Sequence, residues 1–419
     1  MADLSVEICG LRFSSPLMPA AGPPTRDGAA CLAAVAGGAA AIVSKTISLE
    51  PAQIPRPCRS DVQVGMLNTE LWSELPKEQW LEREYAIAKS AGVPLIVGLG
   101  YTAEQIAELA PMVRPFADAL ELSCHYIGND LTPIIETVKA AKRAVDVPVF
   151  VKMSPHPNIQ EIAVAVESAG ADALVMINSF GPCMGIDVET GLPLMGSQSG
   201  YGWLSGRAIK ALAVRCIFDA ANAVKIPIFG VGGVATGKDV AEMFMAGASA
   251  VQLCTEAILK GPAVYGKIAA ELSAFLDSHC YQSVNELKGL TRRKMQQRQF
   301  STEATAPNVT RLRCISCGNC VKSCPYQAIQ LVDTKAVIDQ TLCFGCGLCL
   351  SRCPVGAIGW GGETDGNRSL RRYDCQRRFG YGRRPADRWR DNRGDRKKFS
   401  ATGRSTDRCV GLFPVSRRD

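Results

Sequence analysis

The chain has 419 residues, enough for two or three domains, and 47% hydrophobic with 21% charged residues is an ordinary globular composition. That composition excludes a disordered, collagen-like or disulfide-rich miniprotein. No apolar run reaches the ~18 residues of a membrane-spanning helix, and the N-terminal segment lacks the basic and apolar regions of a secretory signal. We therefore expect a cytoplasmic protein without a membrane segment, whose 18 cysteines serve as thiols or metal ligands and not as disulfides.

The net charge of +7 is unevenly distributed along the chain. Residues 361–419 hold 17 basic and 8 acidic residues, whereas residues 1–360 hold 30 basic and 32 acidic ones. Because the basic segment is rich in arginine, has almost no aliphatic residues and shows no periodicity, the sequence predicts a disordered Arg-rich tail over 361–419. Three explanations of this tail are open: an extension without a specific function, a nucleic-acid-binding arm, and out-of-frame translation. The rest of the chain gives no indication of a nucleic-acid partner.

Residues 1–290 alternate short β-branched runs with alanine-rich amphipathic stretches, the pattern of repeated βα units. A small hairpin is predicted at 6–13, before the first unit. Helices are predicted at 103–111, 131–144, 159–169, 209–223 and 238–246. Eight strands favour a (β/α)8 TIM barrel over an open doubly wound sheet. The predicted strands are 17–21, 40–44, 95–99, 119–123, 149–153, 173–178, 228–232 and 250–254.

Polar and reactive side chains follow several of these strands directly. Because the active sites of such barrels gather at the C-terminal ends of the strands, we expect these side chains to share one site. They are Lys45 and Thr46 after the second strand, Cys124 and His125 after the fourth, Lys152 at the end of the fifth, and Asn178 and Ser179 at the end of the sixth.

Two cysteine runs near the C-terminus share the spacing C-x2-C-x2-C-x3-C-P. This is the pattern of bacterial two-cluster ferredoxins, in which three close cysteines of one run and the fourth of the other hold each cluster. A pair of zinc sites is the alternative, but zinc requires neither the third cysteine nor the proline. We expect two 4Fe-4S clusters in a small α+β ferredoxin domain at 308–360, after a linker at 291–307. One cluster is expected on Cys314, Cys317, Cys320 and Cys353, the other on Cys324, Cys343, Cys346 and Cys349.

A second kind of cofactor is indicated by the loops after the seventh and eighth strands, at 230–233 and 252–255. Barrel proteins commonly hold a phosphate on the backbone N–H groups of these two loops. The sequence Gly230-Val231-Gly232-Gly233 does not continue to a GxGxxG, which argues against a nicotinamide site. Close helix packing is the alternative explanation of the glycines. Together with a lysine on the fifth strand, the loops suggest bound FMN.

Over about residues 4–360 the chain resembles the flavin-dependent dihydroorotate dehydrogenases. Within them it is most similar to the barrel and ferredoxin parts of dihydropyrimidine dehydrogenases, especially the iron-sulfur subunit of the bacterial NAD-dependent form. The order and spacing of several short motifs carry this resemblance: Ser44-Lys45-Thr46, Leu67-Asn68-Thr69-Glu70-Leu71, Leu120-Glu121-Leu122-Ser123-Cys124, Val151-Lys152-Met153-Ser154-Pro155, Ile177-Asn178-Ser179, Leu204-Ser205-Gly206, Gly232-Gly233 and the two cysteine runs.

The resemblance implies roles for individual residues. It makes Cys124 the proton donor beside the substrate, and the neighbouring His125 is a competing acid because its ordinary pKa lies nearer neutrality. Glu121 replaces an asparagine of the family, and the segment after Cys124 is shorter than the family's lid. The implied substrate contacts are Asn68, Glu70, Glu121, Asn178 and Ser179. The implied FMN contacts are Ala21, Lys45, Thr46, Lys152, Asn178, Ser205, Gly206, Gly232, Gly233, Cys254 and Thr255.

Several functions are therefore open. The first is an FMN- and iron-sulfur-dependent oxidoreductase that reduces or oxidises a ring C–C bond of a pyrimidine, interconverting uracil or thymine and the 5,6-dihydropyrimidine. The second is an electron-transfer subunit of a larger flavoprotein complex, and the third is a related dehydrogenase acting on dihydroorotate or another unsaturated cyclic compound. Because no second nucleotide site is evident, electrons are expected from a separate NAD(P)H-oxidising flavoprotein subunit or a ferredoxin, in a homo- or hetero-oligomer.

Overall fold

The computed structural model describes residues 1–123, 128 and 130–360. Eight parallel strands form one sheet, which confirms the predicted (β/α)8 architecture. Numbered along the chain, the strands neighbour one another in the order one, eight, seven, six, five, four, three, two. The barrel closes between strands one and two, where the Ala40 N–H donates to the Leu17 carbonyl at 2.9 Å. The strands are Leu17–Pro19, Ile42–Val43, Leu95–Leu99, Ala119–Ser123, Val149–Met153, Ala173–Met176, Ile228–Val231 and Ala250–Leu253.

Several strands end earlier than the sequence predicts. The sixth ends at Met176, before the predicted 178, and the eighth ends at Leu253, before the predicted 254. At these C-terminal ends the backbone leaves the ladder and the side chains line a cavity instead. The strands themselves are fully buried, because helices cover the outer face and side chains fill the interior.

The barrel helices bury one apolar face each on the sheet, and the predicted helical stretches are all present. Two of them begin with reciprocal capping boxes, at Thr102 with Gln105 and at Thr236 with Asp239. The helix that follows the predicted barrel boundary, Leu290–Met295, packs on the seventh-unit helix. The α-helices of residues 1–300 are Gly28–Ala36, Lys77–Gln79, Tyr85–Lys89, Ala103–Val113, Thr132–Ala144, Ile159–Ser168, Lys210–Ala223, Gly237–Ala246, Thr255–Lys260, Val264–Ser278 and Leu290–Met295, with a π-helical turn at Trp80–Glu84 and 3-10 turns at Pro23–Thr25, Gly206–Ile209 and Val284–Leu287.

A second sheet, which the sequence analysis did not predict, is built from the loops after strands two and six. Its four antiparallel strands run in the order Phe180–Cys183, Gly202–Ser205, Gly65–Asn68, Arg59–Val62. Since both loops leave the barrel at the C-terminal ends of their strands, this sheet brings Asn68 and Ser205 to the mouth of the barrel. The predicted N-terminal hairpin is present as Val6–Ile8 paired with Leu11–Phe13.

Residues 308–360 form a separate small core of two antiparallel pairs and two short helices, as the ferredoxin prediction requires. Asn308–Val309 pairs with Ile358–Gly359, and Ile329–Val332 pairs with Lys335–Ile338. The helices Asn319–Lys322 and Leu348–Arg352 each follow a glycine in the left-handed region, Gly318 and Gly347. A 3-10 turn at Arg311–Arg313 precedes the first cysteine.

The predicted tail at 361–419 lies outside the described residues. In the part of the chain that is described, no helix is long and apolar enough to cross a membrane.

Candidate functional site

A cavity of about 1020 Å³, counting the part open to solvent, lies at the C-terminal ends of the barrel strands. Its wall draws on every strand end from the first to the eighth and on the second sheet. Every predicted substrate or FMN contact that the structure describes lines this cavity, except Glu121. The lining therefore includes Ala21, Lys45, Thr46, Asn68, Glu70, Lys152, Asn178, Ser179, Ser205, Gly206, Gly232, Gly233, Cys254 and Thr255.

Lys45 already has a counter-ion inside the cavity. Its Nζ lies 2.8 Å from Oε2 of Glu70, and the other carboxylate oxygen of Glu70 lies 2.7 Å from Nε of Arg59. Burial opposes ionisation of Glu70, but the charges and hydrogen bonds of Lys45 and Arg59 outweigh it, so the pKa of this carboxyl is held below its ordinary value. Glu70 is thus a carboxylate supplied by the protein to Lys45, which lines the cavity, and to Arg59 beside it.

Lys152 also has a buried counter-ion. Its Nζ lies 3.5 Å from Oε1 of Glu121, and the two side chains are 6% and 0% exposed. The other oxygen, Oε2, accepts a hydrogen bond of 2.6 Å from Nε2 of Gln252 on the opposite strand of the barrel. Glu121 is predicted from the sequence to contact the substrate, but it lies inside the barrel and does not line the cavity. The reason is its depth in the barrel, two residues before the end of strand four and level with Phe150 of strand five, which does not line the cavity either.

Asn68 and Glu70 are placed by the second sheet. Nδ2 of Asn68 donates to the Trp203 carbonyl at 2.9 Å, and Oδ1 of Asn68 accepts from the backbone N–H of Glu70 at 3.3 Å. On the sixth strand end, Oδ1 of Asn178 accepts from the Ser179 N–H at 2.8 Å. These bonds orient amide and carboxylate groups around one side of the cavity, an arrangement that offers both donors and acceptors to a planar ring.

The far end of the cavity is lined by backbone that only glycine can form. Gly206, Gly232 and Gly233 have φ of +78°, +121° and +75°. A Cβ at Gly233 would lie 2.6 Å from Cβ of Lys210 and 2.9 Å from the Gly206 carbonyl oxygen. Beside them, the Thr255 hydroxyl donates to Oγ of Ser205 at 2.9 Å. Glycine backbone that lines the cavity, together with two hydroxyl groups, suits a phosphate at this end.

The remaining cavity fits a flavin ring. Oε1 of Gln252 is a buried acceptor without a hydrogen-bond partner among the described residues, so it suits a ring N–H such as that of an isoalloxazine. Thr46 and Ala21 complete the wall near the lysines. Cys254 is partly buried there against Gly22, and desolvation raises the pKa of its thiol, so it stays protonated and contributes an apolar wall. The residues present therefore fit FMN.

The two candidate proton donors, Cys124 and His125, lie outside the described residues. Ser123, which ends the fourth strand directly before them, lines the cavity and is almost fully buried. The chain thus enters the segment that contains both candidates at the cavity wall.

The eight cysteines of the two runs line two small cavities of about 340 Å³ each in the ferredoxin part. Two of the sulfurs accept backbone hydrogen bonds: Cys314 from Ala336 at 3.5 Å and Cys353 from Ala357 at 3.2 Å. Each cavity combines three cysteines of one run with the fourth of the other, the grouping expected of two clusters. The first is lined by Cys314, Cys317, Cys320 and Cys353, and the second by Cys324, Cys343, Cys346 and Cys349.

Comparison with known proteins agrees with this geometry. The dihydroorotate dehydrogenase family model matches residues 3–276, and a 4Fe-4S dicluster domain matches residues 313–357. The chain belongs to the dihydroorotate dehydrogenase family. In this family it is similar to the catalytic subunit of dihydroorotate dehydrogenase B (NAD(+)) from Methanothermobacter thermautotrophicus, with 38% identity over 68% of this chain and 98% of the relative. The corresponding subunits of Methanosarcina mazei and Pyrococcus abyssi are 35% and 34% identical over 68% of this chain, and the matches cover 95% and 98% of those relatives.

Three residues at or beside the site are not indicated as functional groups by the sequence. Arg59, which contacts Glu70, and Tyr101, which lines the cavity, belong to no sequence motif. Gln252 is indicated only as part of the eighth strand end. Arg59 stands in a short polar strand, so its position beside Glu70 depends on the second sheet. Gln252 lies on the inward face of strand eight, where a polar residue among apolar neighbours is the signal that could have found it.

Proposed function

We propose that the chain is an FMN- and iron-sulfur-dependent oxidoreductase that interconverts a neutral pyrimidine, such as uracil or thymine, and its 5,6-dihydro form. The observation that carries this proposal is the pairing of Glu70 with Lys45 and Arg59. Dihydroorotate, which gives the family its name, is a dihydropyrimidine with an added carboxylate, and that group needs an available cation. Two of the three cations that line the cavity, Lys45 and Lys152, already have protein carboxylates as partners. The third, Arg207, is exposed beside Gly206 at the phosphate end.

The cofactor and substrate roles follow from the lining. Gly232, Gly233 and Ser205 would hold the phosphate of FMN, and Lys152 and Gln252 would meet its ring. When bound, FMN supplies hydride exchange with a ring carbon of the substrate. Asn68, Asn178 and Glu70 offer the amide and carboxylate groups that recognise the edge of a cyclic imide, and a buried polar edge discriminates strongly against molecules that leave it unpaired.

The proton is assigned by resemblance to Cys124. A thiol with an ordinary pKa is mostly protonated near neutral pH and so can donate to a ring carbon as hydride arrives at the neighbouring one. Electrons would enter through two 4Fe-4S clusters, held by the two four-cysteine sets. The relatives' description as catalytic subunits supports a separate subunit that exchanges electrons with NAD(P)H.

The experiment compares two potential reductants that differ by one carboxylate. Anaerobically purified holoprotein is mixed with 5,6-dihydrouracil or with dihydroorotate, and the flavin absorbance is followed. We expect dihydrouracil to bleach the flavin and dihydroorotate to do so much more slowly. Bleaching by dihydroorotate alone would instead support a dihydroorotate dehydrogenase, the function that the relatives' names favour. No bleaching by either, with a flavin that dithionite still reduces, would support the electron-transfer subunit.

A further inference from the structure

The buried ion pair of Lys152 and Glu121 has no role in substrate recognition, because Glu121 does not line the cavity. Its carboxylate is fully buried, and Lys152 and Gln252 are its polar partners among the described residues. Within the part of the chain that the structure describes, Oε1 of Glu121 has no hydrogen-bond partner, and it faces Lys152 at 3.5 Å. The burial of this carboxylate is offset by the ammonium group of Lys152 and the amide of Gln252.

The pair determines the charge of the cavity floor. Lys152 lines the cavity and is 6% exposed, so without a partner it would place a full positive charge in a poorly solvated site. With Glu121 beneath it, the floor carries no net charge. The aromatic rings of Phe150 and Phe229, 4.9 Å apart in the barrel interior, are not able to screen that charge as water would.

We propose that Glu121 is a positioning residue that neutralises Lys152 and thereby lowers the reduction potential of the flavin. A reduced flavin carries more negative charge than an oxidised one, so an unbalanced cation beside the ring would favour reduction. Cancelling that cation makes the reduced flavin a stronger hydride donor. The inference rests on FMN binding as proposed above, and it directs the site towards reduction of the pyrimidine ring.

Sulfite tests this without a substrate, because it adds to oxidised flavin and leaves a net negative charge on the ring. In Glu121→Gln the charge of Lys152 is no longer balanced, so the sulfite dissociation constant of the holoprotein should fall about 10- to 100-fold, the effect of one unit charge at short range in protein. The midpoint potential should rise by about 30–60 mV, the same factor for a two-electron couple. Glu121→Asp keeps the charge, so its sulfite dissociation constant and midpoint potential should stay near those of the parent protein.

Two further variants complete the design. Lys152→Gln should weaken sulfite binding, opposite to Glu121→Gln, and serves if Glu121→Gln does not fold. The control is Glu84→Gln, which removes another buried carboxylate, bonded to the Gly28 N–H at 2.8 Å and outside the cavity lining, and should leave sulfite affinity unchanged. Unchanged sulfite affinity and potential in Glu121→Gln would overturn the inference. A protein that binds FMN and shows these shifts, but neither oxidises a dihydropyrimidine nor, once reduced, reduces a pyrimidine, would refute the proposed function alone.

Discussion

The substitution Glu70→Gln tests the charge argument for the substrate most directly. It keeps the size of the side chain and removes the carboxylate that pairs with Lys45 and Arg59. A hydrogen bond to a charged group contributes about 1.5–3 kcal/mol. Because the Arg59 side chain is 39% exposed, solvent reduces its share, and the 2.8 Å bond to Lys45, which is only 8% exposed, dominates. A net effect of about 2 kcal/mol corresponds to a change of roughly thirtyfold in a ratio of kcat/KM values.

We therefore expect the ratio of kcat/KM for dihydrouracil to that for dihydroorotate to fall about thirtyfold in Glu70→Gln. The released Lys45 can then pair with a substrate carboxylate, while an imide donor loses its acceptor. The matched control is Glu74→Gln on the same loop, whose carboxylate pairs with Arg56 and is about half exposed. It should leave the ratio unchanged. An unchanged ratio in Glu70→Gln, with the flavin still bound, would refute the reasoning.

Further predictions concern pH, the clusters, the proton donor and the electron source. Because the pKa of Glu70 lies below its ordinary 4.5, its ion pairs should persist at neutral pH and be lost only as the pH falls through the lowered value. The ratio of kcat/KM for dihydrouracil to that for dihydroorotate should therefore be constant from about pH 5 to 7 and change only in stronger acid. Cys317→Ala should lower the iron content from about eight to about four per chain and keep FMN. The control Cys216→Ala, which changes a buried cysteine of the barrel, should keep the full iron content. Stoichiometric zinc without labile sulfide in the parent protein would contradict the cluster assignment. Cys124→Ala should keep the flavin spectrum and lose ~10²–10⁴-fold in turnover, and a similar loss in His125→Ala alone would assign the proton to the histidine. NADH and NADPH should not reduce the isolated chain rapidly, which an anaerobic stopped-flow measurement checks.

The barrel could be predicted because each of its strands is a short apolar run that parallel pairing buries on both faces. The second sheet could not, because Arg59–Val62 is mostly polar and Phe180–Cys183 contains Gly181 and Pro182. Neither segment carries the alternating apolar pattern of a strand. The pairing that joins the two loops, between Gly65–Asn68 and Gly202–Ser205, connects parts of the chain more than a hundred residues apart.

The cysteine sets could be predicted down to their partners because the motif itself encodes which sulfur crosses to the other group. The charge balance of the cavity could not. Glu121 is expected to face the substrate because it replaces a family asparagine, but it lies two residues before the end of strand four, below Ser123, which lines the cavity. The contact of Gln252 with Glu121 spans the barrel, so no local pattern indicates it.

The two protein carboxylates have a joint consequence for function. Each lysine that the resemblance assigns to the flavin is matched by a buried or nearly buried glutamate, Lys45 by Glu70 and Lys152 by Glu121. A single pair would be compatible with an incidental structural contact, but the two pairs act on different partners. The first removes the cation that a charged substrate would need, and the second removes the cation that would favour reduced flavin. Both effects agree with a site that transfers hydride to a neutral pyrimidine ring, with electrons delivered from the cysteine-bound clusters.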